Sequence, residues 1–478
     1  MVHITGDGGT VISGLYADRY ELSMAWAYWR AGRASEPVVF DYFFRTLPFR
    51  GGYATFAGAA TVVAELEDFK FRDEQLAFLR KEGFGVDFLD YLRTFRFRGS
   101  IWMPAEGEPV FPLEPVARVE GTLVEAQLIE TFLLNILNFQ TLVATKASRC
   151  RDAARGRTLS EFGLRRSHGL GGLWASRAAC IGGCASTSNM QAAALYGLRT
   201  TGTMAHSFVQ SYEDELTAFR AFAEVHGANT ILLLDTYDTL QSGLPNAIAV
   251  GRELAARGIR LAGVRLDSGD LAYLSKEVRS ALDAAGLEHV KIVASNQLDE
   301  YVIRSLLEQD APIDIFGVGT ALAAGLPDGA LDGVYKLAEC NGKPRMKYTA
   351  GLTKQTLPGR KTVSRYCDAE GRFRADAIHL VDEPPPDRII DPHDPTRRLW
   401  LGQWKPEPLL RLVVKDGEPV GCLPDVYSAA AYARTRADQL PPEHRRFENP
   451  HIYKVGISPR LAALRDELVR PWIEKEVA

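Results

Sequence analysis

The chain has 478 residues, 46% of them hydrophobic and 24% charged, the make-up of an ordinary globular protein. Its 56 basic and 60 acidic side chains leave a formal net charge of −4, and that mild acidity favours neither nucleic acid nor a membrane surface as a partner. No apolar run reaches the ~18 residues of a membrane-crossing helix.

At this length two or three domains are expected, on a prior of ~150 residues each. Residues 1–9 hold Asp7 and a glycine cluster where a secretory leader would need an apolar core, so a cytoplasmic location is expected. Cys150, Cys180, Cys184, Cys340, Cys367 and Cys422 are too scattered for a disulfide framework or a zinc ribbon. They are expected to be free thiols, with Cys180 and Cys184 as packing residues.

The first zone, 1–125, mixes helices over 20–31, 53–67 and 87–95 with a strand over 38–44 and a proline-punctuated β-region over 100–125. A long helix over 125–152 opens the second zone, with Leu128, Phe132, Leu133, Ile136, Leu137, Phe139 and Leu142 at helical spacing. Short apolar strands follow at 158–162, 179–183, 198–203, 231–234, 261–266, 291–294 and 313–316. Helices fit the gaps: Leu271, Leu274, Val278 and Leu282 share a face, and Val302 and Leu306 mark another stripe over 298–309. Strand, turn and helix in repetition is the βαβ signature. The third zone, from 341, reads as irregular, with Pro384-Pro385-Pro386, a β-like run over 409–415 and a helix from 459 to about 474.

The expected fold is therefore α/β: an irregular parallel β/α barrel of about seven strands, with an additional α+β domain built from both terminal segments. The expected domains are 1–125, packed with 341–478, and the barrel over 126–340, which carries the candidate site.

Barrels of this kind build their chemistry at the carboxyl ends of their strands. There the sequence places His206, Asp235, Asp238, Arg265, Asp267 and Asp270. An exposed imidazole serves as base, metal ligand or nucleophile toward phosphate, whereas a buried one is simply bonded to backbone. Carboxylates at strand ends can grip sugar hydroxyls or a phosphate-borne magnesium ion, but Asp is also a favoured helix cap. Capping suits Asp270, and function suits Asp235 and Asp267. Arg265 and Asp267 alternate along a strand and so share a face. Gly317-Val318-Gly319-Thr320 offers a glycine turn before a helix, a setting for phosphate. Phe162-Gly163-Leu164-Arg165-Arg166 offers an aromatic platform with cations, or a packed ring with solvated arginines.

These segments join an ordered series: Leu15-Tyr16-Ala17-Asp18-Arg19-Tyr20-Glu21-Leu22, Phe43-Phe44-Arg45, Leu134-Asn135-Ile136-Leu137-Asn138-Phe139-Gln140-Thr141 and Ser186-Thr187-Ser188-Asn189. It continues through Gly202-Thr203-Met204-Ala205-His206-Ser207 and Asp235-Thr236-Tyr237-Asp238-Thr239 to Arg265-Leu266-Asp267-Ser268-Gly269-Asp270. Over nearly its whole length the chain resembles the nicotinate phosphoribosyltransferase family.

That resemblance implies transfer of phosphoribose from 5-phosphoribosyl-1-pyrophosphate to nicotinate, giving nicotinate mononucleotide and pyrophosphate in NAD salvage. It implies ATP coupling through a phosphorylated His206, with Asp235 orienting the imidazole. It implies magnesium carried by the pyrophosphate rather than by a protein cage. The ring sandwich would use Phe162 of one subunit and Tyr20 of another, so Asp18 and Tyr20 would cross a homodimer interface. Arg265 and Asp267 match the ribose-contacting pair, Gly317, Gly319 and Thr320 the 5′-phosphate cradle, and Arg45 and Arg165 the anion-binding arginines. Thr187 and Ser188 fall in a further substrate-binding motif. In the amide-using relatives an aspartate stands where this chain has Ser188 and an acidic residue precedes the histidine, here Ala205. An aspartate would accept a bond from an amide and repel a carboxylate, so Ser188 favours the acid substrate. The alternatives are a nicotinamide-using phosphoribosyltransferase and a non-catalytic metabolite-sensing homologue.

Overall fold

The computed structural model describes residues 5–6, 9–10, 12–348 and 355–477, so most of the stretch behind the leader expectation lies outside the described residues. Two units emerge, 143–329 and 1–142 with 330–478, and the boundary falls inside the helix Glu130–Ala153. None of the described helices is long and apolar enough to cross a membrane.

The unit of 143–329 is a parallel sheet of six strands, in the order Ile231–Leu233, Gly263–Leu266, Lys291–Ser295, Ile315–Val318, Thr158–Glu161, Ser186–Thr187. Val264, Leu266, Ile292, Ala294, Phe316 and Val318 are fully buried, the continuous apolar pattern of strands covered on both faces. Helices connect them, and short polar residues start those helices: Asn189, Asp214, Asp270 and Asp299 each accept backbone N–H bonds as caps.

Six strands replace the expected seven or so, and two expectations fail for identifiable reasons. The stretch 179–183 is the end of the helix Leu170–Gly182 and the glycine after it, and the helix's small residues serve close packing. A Cβ on Gly182 would lie 2.3 Å from the Ala144 carbonyl oxygen. The stretch 198–203 keeps a single parallel bridge, Thr187 to Thr200, because its Thr-Thr-Gly-Thr run offers no apolar face to bury. The buried stripe of the helix Glu300–Glu308 is Ile303, Leu306 and Leu307, with Val302 on the outer side.

In the terminal unit, a seven-stranded sheet interleaves the two ends of the chain: Gly333–Cys340 pairs with Pro37–Phe44, and Arg411–Lys415 with Ser100–Met103, both antiparallel. Gly333–Cys340, expected in the barrel domain, therefore belongs to this sheet. The zone read as irregular holds a second six-stranded sheet centred on Lys361–Cys367 and Phe373–Leu380, and a helix, Val426–Gln439. Within 53–67 only Ala59–Leu66 is helical. The helix read over 125–152 is broken at Ile129 into Leu123–Leu128 and Glu130–Ala153.

Candidate active site

Parallel strands bring their carboxyl ends to one edge, and the candidate residues of 143–329 gather there. Arg265, near the end of the strand Gly263–Leu266, is the hub. Its Nη2 lies 3.0 Å from Asp267 Oδ1, its Nε donates to Ser295 Oγ at 2.9 Å, and its Nη1 donates to Thr203 Oγ1 at 2.8 Å and to the Met204 carbonyl at 3.3 Å. The Ser295 hydroxyl in turn donates to Asp267. One guanidinium thus ties the strand end to the loop that delivers His206.

His206 opens the short helix His206–Gln210. Its Nδ1 sits 3.2 Å from Thr236 Oγ1, and its Nε2 faces Asp267 Oδ2 at 3.9 Å. The imidazole side chain stays 41% exposed, so it is neither a buried histidine bonded to backbone nor a cap. Two tautomers are available: one gives Nδ1–H to Thr236 and leaves the Nε2 lone pair free, the other directs Nε2–H toward Asp267.

Asp235, expected against the imidazole, is engaged elsewhere. Its Oδ2 accepts from the Asp267 backbone N–H at 3.0 Å and from the Ser268 hydroxyl, so it fixes the 267–268 turn. Thr236 and Asp267 face the histidine instead. The aspartates divide as their positions suggest: Asp238 accepts from the amides of Leu240 and Gln241, and Asp270 from those of Ala272 and Tyr273. Those two are caps.

The other half of the edge is built around Phe162. Its backbone N–H donates to the Val318 carbonyl at 2.8 Å, and a Cβ on Gly317 would lie 2.5 Å from its ring. Gly317 is therefore the seat of the ring. A Cβ on Gly319 would meet the Phe162 carbonyl at 3.3 Å. The helix after this turn, Thr320–Ala323, has only four residues, so any anion held there depends on the turn's own amides rather than on a helix dipole. Arg165 is exposed in a 3-10 turn, Leu164–Arg166. Ser188 is exposed as well, while Thr187 is fully buried and gives its hydroxyl to Glu161. Thr187 therefore supports its neighbour from behind.

Asp18, Tyr20 and Arg45 lie in the terminal unit and are described there. Tyr20 is 47% exposed. Burial, then the nearby Glu130 and Glu21 carboxylates, raise its phenol above the usual range. Asp18 precedes the helix Arg19–Arg30 and accepts from the Thr131 hydroxyl at 3.3 Å. The Arg45 guanidinium lies 5.7 Å from the Phe43 ring centroid.

Thr203, Thr236, Ser268 and Ser295 were not singled out in the sequence. Each sits within or just after a strand-end motif, so a hydroxyl beside a chosen aspartate or arginine was the available signal. After Ser295, Asn296 and Gln297 both adopt positive φ, 82° and 48°, a costly pair for residues bearing a Cβ, next to the Arg265 hub. Chemically, the edge combines a reachable imidazole, a carboxylate charged against an arginine, and an aromatic ring seated on a glycine turn.

A model described as the nicotinate phosphoribosyltransferase (NAPRTase) family matches residues 158–371. The family's N-terminal and C-terminal domain models match 15–138 and 360–465. The chain is 43% identical over 455 residues to the nicotinate phosphoribosyltransferase of Bacillus subtilis, covering 93% of this chain and 92% of that one. It is 34% identical over 535 residues to the protein of the same name from Rattus norvegicus, covering 98% of each. The crystal structure of human nicotinic acid phosphoribosyltransferase superposes with a TM-score of 0.85 at 35% identity, over 94% of this chain and 99% of that one.

Proposed function

The chain belongs to the nicotinate phosphoribosyltransferase family, and from that premise we propose that it makes nicotinate mononucleotide and pyrophosphate from nicotinate and 5-phosphoribosyl-1-pyrophosphate. ATP hydrolysis is coupled to the transfer through a transient phosphate on His206. Magnesium enters on the pyrophosphate, and the enzyme works in the cytoplasm as a homodimer whose sites are shared through Tyr20 and Phe162.

The observation that carries this reading is the convergence of His206, Asp267 and Arg265 at one sheet edge. Displacement at the anomeric carbon builds positive charge on the sugar while pyrophosphate leaves. Such a reaction needs positioned anion clamps and fixed carboxylates more than a strong base. Arg265 supplies a cation locked by four bonded or paired groups, and Asp267 a carboxylate that retains one oxygen toward the imidazole. His206 is reachable from solvent and carries a ring nitrogen able to attack phosphorus. The exposed Ser188, where an aspartate would repel a carboxylate, supports nicotinate over nicotinamide.

Mass spectrometry after exposure to ATP should find phosphate on His206. His206→Ala should abolish ATP stimulation while slow transfer stays measurable. Unchanged ATP coupling in that variant would refute the assignment. A competition assay between nicotinate and nicotinamide separates the acid-using from the amide-using reading, and absence of turnover with both supports the metabolite-sensing alternative.

A further inference from the structure

We propose that Glu161 is a positioning residue whose buried carboxylate holds Ser188 and the 163–166 turn in place, and thereby sets the preference for an acid over an amide ring substrate. The proposal rests on the functional reading above, because Ser188, Phe162 and Arg165 bind the ring only if that reading holds.

Glu161 is 1% exposed, and its bonded partners are neutral. Oε2 accepts from the Thr187 hydroxyl at 2.5 Å and from the Ser176 hydroxyl at 2.8 Å, and Oε1 accepts from the Gly163 backbone N–H. Thr187 Oγ1 then accepts from the Asn189 N–H at 2.9 Å. The Asn189 amide donates to Ser176 Oγ and to the Gly172 carbonyl, both at 3.1 Å. Ser188 stands between two fully buried residues, Thr187 bonded to the carboxylate and Asn189 bonded to Thr187 and Ser176, and its own N–H donates to the Glu161 carbonyl at 2.9 Å. Ser188 is the only exposed residue of Thr187-Ser188-Asn189.

The other oxygen reaches the ring platform. Gly163 has no room to shift, since a Cβ there would lie 2.4 Å from Ala323 Cβ and 2.9 Å from the Gly319 carbonyl. The carboxylate thus ties the loop carrying Ser188 to the turn carrying Arg165, beside the glycine turn that seats Phe162. A carboxyl group suits this place because both its oxygens accept, and three donors converge on them. Glutamine of the same shape would set an N–H₂ against some of those donors, and the loops would separate.

Glu161→Gln should raise KM for nicotinate on the order of ten- to a hundredfold, the cost of a small misplacement of contacting groups. It should lower the ratio of nicotinate to nicotinamide turnover, while kcat and ATP-dependent phosphate on His206 stay near wild type. Glu161→Asp, which keeps the charge, should recover much of the ratio. Ser176→Ala removes one donor from the same carboxylate outside both loops and should move the ratio the same way, by less. Should Glu161→Gln fail to fold, Ser176→Ala decides. A folded Glu161→Gln or Ser176→Ala with wild-type KM and an unmoved ratio would overturn the proposal, as would loss of kcat and phosphate uptake in step with the rise in KM. A wild-type chain that neither binds nor turns over nicotinate defeats the functional reading, and this proposal with it. Wild-type turnover with an unmoved ratio in the variants defeats this proposal alone.

Discussion

Arg365 in the terminal unit and Arg265 at the parallel-sheet edge are both arginines gripped by carboxylates, yet they are held under different conditions. Arg365 is 0% exposed. It meets Asp376 through two parallel bonds of 3.0 and 2.6 Å, Glu108 through Nη1, and the Pro109 carbonyl at 2.8 Å. Arg436 shares Glu108, Tyr453 donates to Asp376, and the Phe373 ring lies 4.5 Å from both guanidinium carbons. Around Arg265 the guanidinium is also well bonded, but its partners keep atoms in reserve. The buried arginine is saturated by its partners, whereas the Arg265 cluster keeps an exposed imidazole and one carboxylate oxygen open to further contacts.

The largest effect should come from breaking the saturated cluster. Arg365→Ala leaves Asp376 buried without its cation and Glu108 with Arg436 alone, and such losses cost about 3–5 kcal/mol. Urea unfolding should show that drop; a drop under ~1 kcal/mol, the scale of a surface pair, would break the contrast. Arg265→Ala should do the reverse. It should lower kcat/KM on the order of a hundredfold, in the range for removal of one preorganised charge donor, and leave the unfolding midpoint nearly unmoved. Equal damage to stability in both variants would mean that the sheet-edge cluster is structural.

The contrast also explains what could be read from the residues alone. Arg265 and Asp267 stand at a strand end and His206 just past a stretch with a strand-like pattern, so period and position exposed them. Arg365 and Asp376 face each other across one hairpin, but Glu108 lies more than 250 residues away, and no local pattern links it to them. The third zone read as irregular for the same reason: its sheet is assembled from pairings such as Phe373–Leu380 with Val455–Ile457, whose partners are distant in sequence. The helix over 170–182 was misread in part because Ala, Cys and Gly carry little periodic signal. The pairing of His206 with Thr236 rather than Asp235 was out of reach, because adjacent residues of a loop differ in direction by its local backbone, which sequence does not specify.

Glu21 is a third case, a buried carboxyl without a cation. Its Oε1 accepts from the Thr131 N–H at 3.2 Å and from the Thr131 hydroxyl, and its other oxygen has no partner among the described residues. Burial pushes its pKa up to about 8, against the lowering pull of the Thr131 hydroxyl. The folded chain therefore keeps this proton where the unfolded chain has already lost it. Stability from this group is intact below the usual carboxylate range, declines as pH rises toward about 8, and is level above. Glu21→Gln should remove that decline, so the unfolding midpoints of wild type and variant should diverge between pH 5 and pH 8. Parallel midpoints across that window would place the ionised form comfortably inside the protein.

Thiol labelling gives the smallest and most local reading. Cys422 is exposed, Cys150, Cys180, Cys184 and Cys340 are buried, and Cys367 is half-buried beside the Arg365 cluster, its Sγ 3.9 Å from Glu407 Oε1. Burial, reinforced by the Glu407 charge, pushes the Cys367 thiol up to about 12, and the thiolate is the reactive form. A disulfide reagent should therefore find one fast thiol in the native chain. In Arg365→Ala the cluster that shields Cys367 loosens, and a second thiol should begin to react well below the unfolding midpoint. Arg265→Ala has no cysteine in its bonded surroundings and should keep the single fast thiol. If both variants label alike, the disturbance spreads through the whole molecule, and the separation of a saturated cluster from an open one loses its physical basis.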